Sequence, residues 1–364
     1  MVGWSELPED IVEHIAKRLT FILDFTRFGA VCRSWRFVES KKKRLLTPQP
    51  PFLMHIMVGK DGGMIYNYYS LSENKKFEFT IPKTHGIKCV GSTEGWILTV
   101  DDCFKMLLLN PFTSAQIELP PKATLKDKFS RDHYSQEELW HLTVWKASLS
   151  SSPSSNNECV VLTIHGYWRL LSFARLGDEV WTPVDCVIQY FDDAIYYKGK
   201  FYALNVIRGV FWVDISINPS TILITNPIQE ATTEIGYLVE WCGELLQVLR
   251  QMDLDMCSPG HQTLGFRVFK LDFSIMKWEE VKSLGHYALF LGWNTSISLN
   301  AAILPGINEN CIYFSDIGHP LCIAKEILQK DIGIFYMKDK SIEPLHTGLT
   351  YCFHAPPLWV IPNP

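Results

Sequence analysis

Leu107-Leu108-Leu109-Asn110-Pro111, answered by Ile117-Glu118-Leu119-Pro120, is an apolar strand, a polar turn and a second strand with a bulky apolar start. The same hairpin recurs at Tyr69-Ser70-Leu71 with Phe77-Glu78-Phe79 and at Leu171-Ser172-Phe173 with Trp181 to Val184. It returns at Phe211-Trp212-Val213 with Ile222-Leu223-Ile224, at Phe269-Lys270-Leu271 with Trp278 to Val281, and at Ile334-Phe335-Tyr336 with Ile342 to Leu345. Runs of Val, Ile, Phe, Tyr and Trp punctuated by Gly, Asn, Pro and Asp are strand and turn signals. Most of these hairpins are preceded by a strand that follows Gly, as at Gly95-Trp96, Gly199-Lys200 and Gly243-Glu244.

All-β repeat units of roughly forty to sixty residues predict a β-propeller, because one four-stranded blade cannot bury both its faces and must stack on neighbours around an axis. Six hairpins imply five or six blades. One blade is expected to be closed by strands from both ends of the domain, near residues 52–58 and 350–361. Unequal spacing between hairpins keeps an irregular β-sandwich or barrel open as the competing architecture. The Ser-rich stretch Ser148–Ser155, with Asn156 and Asn157, reads as a flexible loop that accounts for one long interval. Within this β region the best local helix candidate is His319 to Lys330.

Outward from that domain, residues 1–46 change period. Ile11, Ile15 and Leu19, with Val12 and Ala16 beside them, form one apolar stripe at helical spacing. Pro8 suits the first turn of that helix, and Glu6, Glu9 and Asp10 favour its positive end. Asp24 is the expected N-cap of a second helix carrying Phe25, Phe28, Val31, Cys32 and Trp35. So short a segment cannot bury this many large side chains by itself, so some must pack on the rest of the chain or on a partner.

Composition narrows the class further. The chain has 364 residues, 47% of them apolar, enough for a small module and one large domain with a core of its own. No apolar run reaches membrane-spanning length and no secretory signal opens the chain, so a soluble intracellular protein of the nucleus or cytoplasm is expected. Ten scattered cysteines without a C-x-x-C pair read as free, mostly buried thiols. By the same logic Asn294-Thr295-Ser296, a glycosylation sequon by pattern, is expected to go unused. Residues 1–46 carry nine Lys and Arg against six Asp and Glu, a net +3, while the remainder carries 25 against 33, a net −8. So acidic a main domain argues against general nucleic-acid binding. Lys41-Lys42-Lys43-Arg44 reads either as a solvated helix end or as a nuclear-import signal.

Three groups of residues carry a family resemblance. Leu7-Pro8-x-Asp10, Ile15-x-x-Arg18-Leu19, Asp24-Phe25-x-x-Phe28 and Val31-Cys32-Arg33-Ser34-Trp35-Arg36 together resemble the plant form of the F-box. Asn110-Pro111-Phe112-Thr113 with Ile117-x-Leu119-Pro120 is similar to a recurring string of plant F-box propellers. Leu289 to Ser296, Asn310 to Asp316, Asp331 to Phe335 and Pro356-Pro357-Leu358-Trp359 resemble the plant F-box proteins whose C-terminal half is a kelch-like β-propeller, of the SKP1-interacting-partner type. The resemblance covers essentially the whole chain. It implies a three-helix F-box over residues 1–46 and a mainly β propeller domain of five or six blades over 47–364. It also implies docking to a Skp1-type subunit, and through it to cullin, with contact roles for Leu7, Pro8, Ile11, Ile15, Leu19, Phe28, Val31 and Trp35. One departure is visible: Thr20-Phe21-Ile22-Leu23 fills a loop where many F-boxes have Pro.

Catalytic patterns are missing. There is no G-x-x-x-x-G-K-[ST] loop, no G-x-G-x-x-G opening a helix, no G-x-S-x-G elbow, no H-E-x-x-H, and no Cys/His cluster at zinc spacing. The pairs Asp101-Asp102 and Asp192-Asp193 read as turn acidics, since neighbours in a strand point to opposite faces. Most of the tryptophans are expected in blade cores. The resulting expectation is a non-enzymatic substrate receptor of an SCF ubiquitin ligase that needs no metal or cofactor and captures a protein target with its propeller. Its rivals are an F-box scaffold or inhibitor outside ubiquitin transfer, and a propeller enzyme with a site at the axis.

Overall fold

The computed structural model describes residues 3–19, 22–42, 49–58, 64–80, 88–101, 103–111, 113, 115–126, 144–153, 158–228, 234–253, 263–315, 331–347 and 357–362. A 3₁₀ turn, Trp4–Glu6, leads into three helices: α1 (Glu9–Ala16), α2 (Ile22–Gly29) and α3 (Arg33–Lys42). Pro8 lies just outside α1, where its carbonyl accepts from the Ile11 and Val12 N–H groups. Val12, Ala16, Phe25, Phe28, Trp35 and Val38 form the module's own core, with Leu7, Ile15, Leu19 and Cys32 packed around it. The Phe28 and Trp35 rings lie 4.6 Å apart, and Trp35 Nε1 donates to the Trp4 carbonyl.

Two expectations about this segment are corrected. α2 begins at Ile22, so Asp24 sits inside its first turn, paired with Arg27, rather than capping it. The helix stops at Gly29, Val31 and Cys32 form the link, and the Cys32 carbonyl receives the Arg36 N–H at the start of α3. The Ile22-Leu23 part of the supposed loop is therefore helical. Ile22 belongs to the same buried cluster as Phe52, Met54, Tyr66 and Tyr68, tying the helices to the β domain.

The β domain is a six-bladed propeller. Blade 1 holds β1 (Phe52–Val58), β2 (Met64–Ser70) and β3 (Lys75–Thr80), with β25 (Leu358–Val360) added along β1. Blade 2 is β4 (Lys88–Thr93), β5 (Trp96–Val100), β6 (Met106–Leu109) and β7 (Gln116–Glu118). Blade 3 is β8 (Val144–Leu149), β9 (Val160–His165), β10 (Leu170–Arg175) and β11 (Thr182–Pro183). Blade 4 is β12 (Phe191–Tyr197), β13 (Lys200–Asn205), β14 (Val210–Asp214) and β15 (Ser220–Thr225). Blade 5 is β16 (Glu234–Trp241), β17 (Glu244–Met252), β18 (Thr263–Asp272) and β19 (Lys277–Glu280). Blade 6 is β20 (Tyr287–Leu291), β21 (Ser296–Asn300), β22 (Cys311–Phe314), β23 (Gly333–Tyr336) and β24 (Ile342–Pro344).

The six hairpins read in the sequence are the outer strand pairs of the six blades, and the closure by both ends of the domain is the β1–β25 pairing, Leu53 opposite Trp359. Three inner hairpins turn on two residues that both have positive φ: Glu94-Gly95, Lys198-Gly199 and Cys242-Gly243. That is the type I′ requirement, and it explains the Gly before each second strand. Blade 6 departs from the pattern. β20 and β22 run parallel, and β21 folds back from β20 to become the innermost strand, beside β16. The segment His319 to Lys330 lies outside the described residues.

Large apolar side chains fill the spaces between neighbouring blades. Trp96 and Trp181 share one cluster with residues of blades 2 and 3, while Trp359 is fully buried among Phe290, Tyr313 and Leu53. Each such burial stabilises the fold by roughly 1.5–3 kcal/mol. The Trp145, Trp181 and Trp359 indoles donate to the carbonyls of Gly166, Pro120 and Leu291, so these rings sit in the core without stranding a donor.

Candidate functional site

The first candidate surface is the helical module. Its core is complete without a partner, yet large apolar side chains remain outside it. Ile11 is 46% exposed and Val31 53%, and Pro8 is exposed beside Ile11. Leu7, Ile15 and Leu19 are half-buried at the core's edge. Phe28 and Trp35 are buried and present almost no surface. Two further side chains went unnoticed in the sequence: Trp4, 69% exposed and edge-on to Trp35, and Phe37, 53% exposed beneath Lys41. Both lie off the stripe that helical spacing defines. Lys41 is paired with Glu9, joining the end of α3 to the start of α1; Lys43-Arg44 lies outside the described residues.

The second candidate is the axis of the propeller. A cavity of about 360 Å³ lies there, lined from all six blades. Ser92 to Glu94 come from blade 2, Lys146 to Ser151 from blade 3 and Asp193 to Tyr196 from blade 4. Leu238 and Glu240 come from blade 5, Asn294 to Ser298 from blade 6, and Trp359 and Ile361 from the closing strand. The strands whose ends reach the cavity are the innermost of each blade, and the lining is rich in hydroxyls.

Two clusters fix this axis. Ser92 Oγ donates to the Trp359 carbonyl at 2.8 Å, and the Ser92 N–H donates to Thr295 Oγ1 at 2.9 Å, while Thr295 Oγ1 donates back to the Ser92 carbonyl. Blades 2 and 6 are thereby joined to the strand that closes blade 1. On the other side, Lys146 Nζ lies 2.5 Å from Asp193 Oδ1. The Asp193 carboxylate also accepts the N–H groups of Ala194 and Leu238. Burial pushes the Asp193 carboxyl above the usual carboxylate range, with Lys146 pulling against it.

The turn reading of Asp192-Asp193 is corrected here: both lie in β12. The register between β12 and β13 slips between Phe191 and Asp193, so Asp192 is the extra residue of a β-bulge, a device that re-aims a side chain. Asp192 holds Arg169 of blade 3 and Arg208 of blade 4 at once. The Asp192–Arg169 and Asp193–Lys146 pairs tie blade 4 to blade 3, the Asp192–Arg208 pair lies within blade 4, and neither carboxylate is left free for acid–base work. Asp101 keeps its turn role, accepting the Lys105 N–H; Asp102 lies outside the described residues. The expected loop at Ser148–Ser155 is corrected at its start, since Ser148 and Leu149 belong to β8.

Among the described residues, no three His, Cys, Asp or Glu side chains gather in a group fit to hold a metal, and no helix is long and apolar enough to cross a membrane. Cys32, Cys89, Cys103, Cys159, Cys186, Cys242 and Cys311 are free thiols, with Cys103 and Cys242 exposed. Burial raises the Cys89 thiol strongly and Cys186 to about 11, so both stay protonated.

Comparison with known proteins gives two family matches: the F-box domain over residues 4–46 and the KIB1-4 beta-propeller over residues 68–336. The chain is similar to F-box protein At2g26160 of Arabidopsis thaliana, 28% identical, covering 86% of this chain and 95% of that protein. It is similar to F-box protein SKIP23 of the same plant, 26% identical, covering 99% and 96%. F-box/kelch-repeat protein At1g57790, also from Arabidopsis thaliana, is 26% identical over 93% of this chain and 90% of its own length. Among solved structures, YCF48 bound to D1 peptide matches with a TM-score of 0.35 at 10% identity over 62% of each chain, a likeness too slight to carry an argument.

Proposed function

The chain belongs to the KIB1-4 beta-propeller family and carries an F-box domain, and on that premise we propose that it is the substrate receptor of an SCF ubiquitin ligase. The helical module docks on a Skp1-type subunit and so reaches cullin; the propeller holds a protein target. The observation that carries this reading is the exposure of Ile11 and Val31 on a module whose own core is already closed. Exposed apolar anchors beside a packed scaffold are what a partner surface needs. In this reading Pro8, Ile11 and Val31 touch the partner, Leu7, Ile15 and Leu19 frame the contact, and Phe28 and Trp35 hold the helices in place. Trp4 and Phe37 extend the apolar surface.

The receptor does no chemistry of its own. It raises the local concentration of its target near a charged ubiquitin-conjugating enzyme. The test is co-precipitation of full-length protein with recombinant Skp1-type and cullin subunits. Wild type is expected to retain both, and Ile11→Glu with Val31→Glu to lose both; retention by the double variant overturns the assignment of the contact.

A further inference from the structure

Two turns on neighbouring blades share one construction. In blade 3 the Arg169 N–H donates to the Gly166 carbonyl, and in blade 4 the Arg208 N–H donates to the Asn205 carbonyl. Each is a β-turn closed by an arginine of positive φ, 46° and 69°. Asp192 accepts from both guanidinium groups, so one carboxylate holds the feet of both turns. The linker between the blades is clamped between them: the Tyr190 N–H donates to the Trp168 carbonyl, and the Val206 N–H donates to the Tyr190 carbonyl.

The tips of these turns carry unusual residues. Middle positions of turns ordinarily hold Gly, Pro, Asn, Asp or Ser. The matching turn of blade 2, closed by the Phe104 N–H on the Asp101 carbonyl, has Asp102-Cys103 there. Blade 3 has Tyr167-Trp168 instead, and blade 4 has Val206-Ile207. Ile207 is 55% exposed, and in the clamped linker Val187 is 87% exposed with Ile188 beside it. Half-buried Trp168 meets Tyr167 on one side and Tyr190 on the other, edge to face, each ring 5.3 Å away. Apolar side chains left in water at turn tips contribute little burial to the fold. Contiguous apolar surface mounted on a fixed scaffold, with Trp and Tyr in it, is the composition of a binding hot spot.

We propose that this ridge over blades 3 and 4 is where the captured protein docks, and that it takes a segment with bulky apolar residues next to Lys or Arg. Charge selects the flank. Arg169 and Arg208 are 4% and 6% exposed and tied to Asp192, so neither is offered to a partner. The charge the linker does expose is Asp185, at the end where its N–H donates to the Pro219 carbonyl. The surrounding domain, residues 47–364, carries 25 Lys and Arg against 33 Asp and Glu. An acidic rim on an acidic domain favours a basic neighbour to the apolar anchor.

The inference rests on the reading of the chain as a substrate receptor and adds to it the surface and the chemistry of capture.

The experiment is selection from a phage-displayed library of random dodecapeptides on the immobilised full-length protein. Selected peptides are expected to join Leu, Ile or Phe to a neighbouring Lys or Arg. Val187→Ser with Ile207→Ser is expected to weaken them about tenfold at an unchanged melting temperature, because both positions are exposed. Asp185→Asn is expected to weaken them less and to reduce the salt dependence of binding. No enriched peptide, peptides flanked by acids, or equal binding by the double variant overturns the proposal. A wild-type dimer in analytical ultracentrifugation that the double variant loses would assign the ridge to a second copy of the chain and overturn it too. The receptor reading fails on a different observation, wild type that does not bind a purified Skp1-type subunit, and the double variant is expected to keep that binding.

Discussion

Lys146 and Asp193 form an ion pair of 2.5 Å with side chains 6% and 2% exposed, and they join the innermost strands of blades 3 and 4. Through the Leu238 N–H the same carboxylate reaches blade 5. Three blades therefore meet at one buried acid. Beside the apolar side chains that fill most of the space between blades, this pair adds a contact with a fixed register, since a displaced strand would leave a charge unpaired.

That arrangement predicts unequal costs for its two halves. Asp193→Ala strands an ammonium and two backbone N–H groups, whereas Lys146→Met leaves the carboxylate with two donors and fills the ammonium's space with apolar atoms. Loss of one partner from a buried pair costs about 3–5 kcal/mol. Asp193→Ala is expected at or above that range and Lys146→Met below it, as measured by urea unfolding of the full chain.

His165 predicts the acid sensitivity of blade 3. It is enclosed, its Nε2 2.8 Å from Ser172 Oγ, and burial lowers its pKa from 6.5 to about 4. The unfolded chain binds a proton below its ordinary value while the folded one resists until about pH 4. Stability from this residue is therefore intact above about pH 6.5 and falls as the pH drops toward 4, by about 3 kcal/mol in all. Replacement with a group that does not titrate, His165→Gln, is expected to flatten that part of the stability profile between pH 7 and 4.5. An unchanged slope would place the acid sensitivity elsewhere.

Gly91 predicts how closely two blades approach. A Cβ there would lie 2.5 Å from the Ala147 carbonyl oxygen, between the innermost strands of blades 2 and 3. The neighbour is backbone, so the strands must part. Gly91→Ala is expected to destabilise by about 1–3 kcal/mol, as overpacking does, and to lower the melting temperature. At Gly265 a Cβ would meet nothing nearer than 3.6 Å, so Gly265→Ala is the control, expected to leave the melting temperature close to wild type.

The fold was legible in the sequence where its signals are local. Outer hairpins such as Leu107–Leu109 with Ile117–Leu119 announce themselves by apolar strands and turn residues, and Trp359 near the end of the chain matched the start of the domain. The innermost strands were harder. Asp192 and Asp193 are polar in a buried strand because Arg169, Arg208 and Lys146, far off in sequence, neutralise them. β21, Ser-Ile-Ser-Leu-Asn, lines a polar cavity with Ser296 and Ser298 while Ile297 and Leu299 pack on a core cluster, and its fold-back from β20 leaves no periodic trace. In the helical module the stripe was legible, but spacing alone could not separate Trp35, which completes the core, from Ile11 and Val31, which lie outside it. The ridge that holds Trp168 and Ile207 was hidden for the same reason, since exposure is a tertiary property.

Trp35 and Ile11 consequently predict different outcomes from substitution. Trp35→Ala removes a buried ring packed on Phe28, at about 3–5 kcal/mol for a core aromatic, and is expected to unfold the helical module. Proteolysis would then remove the N-terminal residues while the propeller persists. Ile11→Glu with Val31→Glu changes only exposed positions and is expected to leave the helical signal in circular dichroism unaltered.

The most direct measurement of the adaptor role is isothermal titration of the full-length protein with a purified Skp1-type subunit, wild type beside the Ile11→Glu, Val31→Glu double variant. The account predicts saturable one-to-one binding by wild type and a loss of at least a hundredfold in the folded variant, since two apolar anchors are worth on the order of 2 kcal/mol or more each. Absence of binding by wild type would contradict the adaptor role itself; equal binding by the variant would contradict the surface assigned to it.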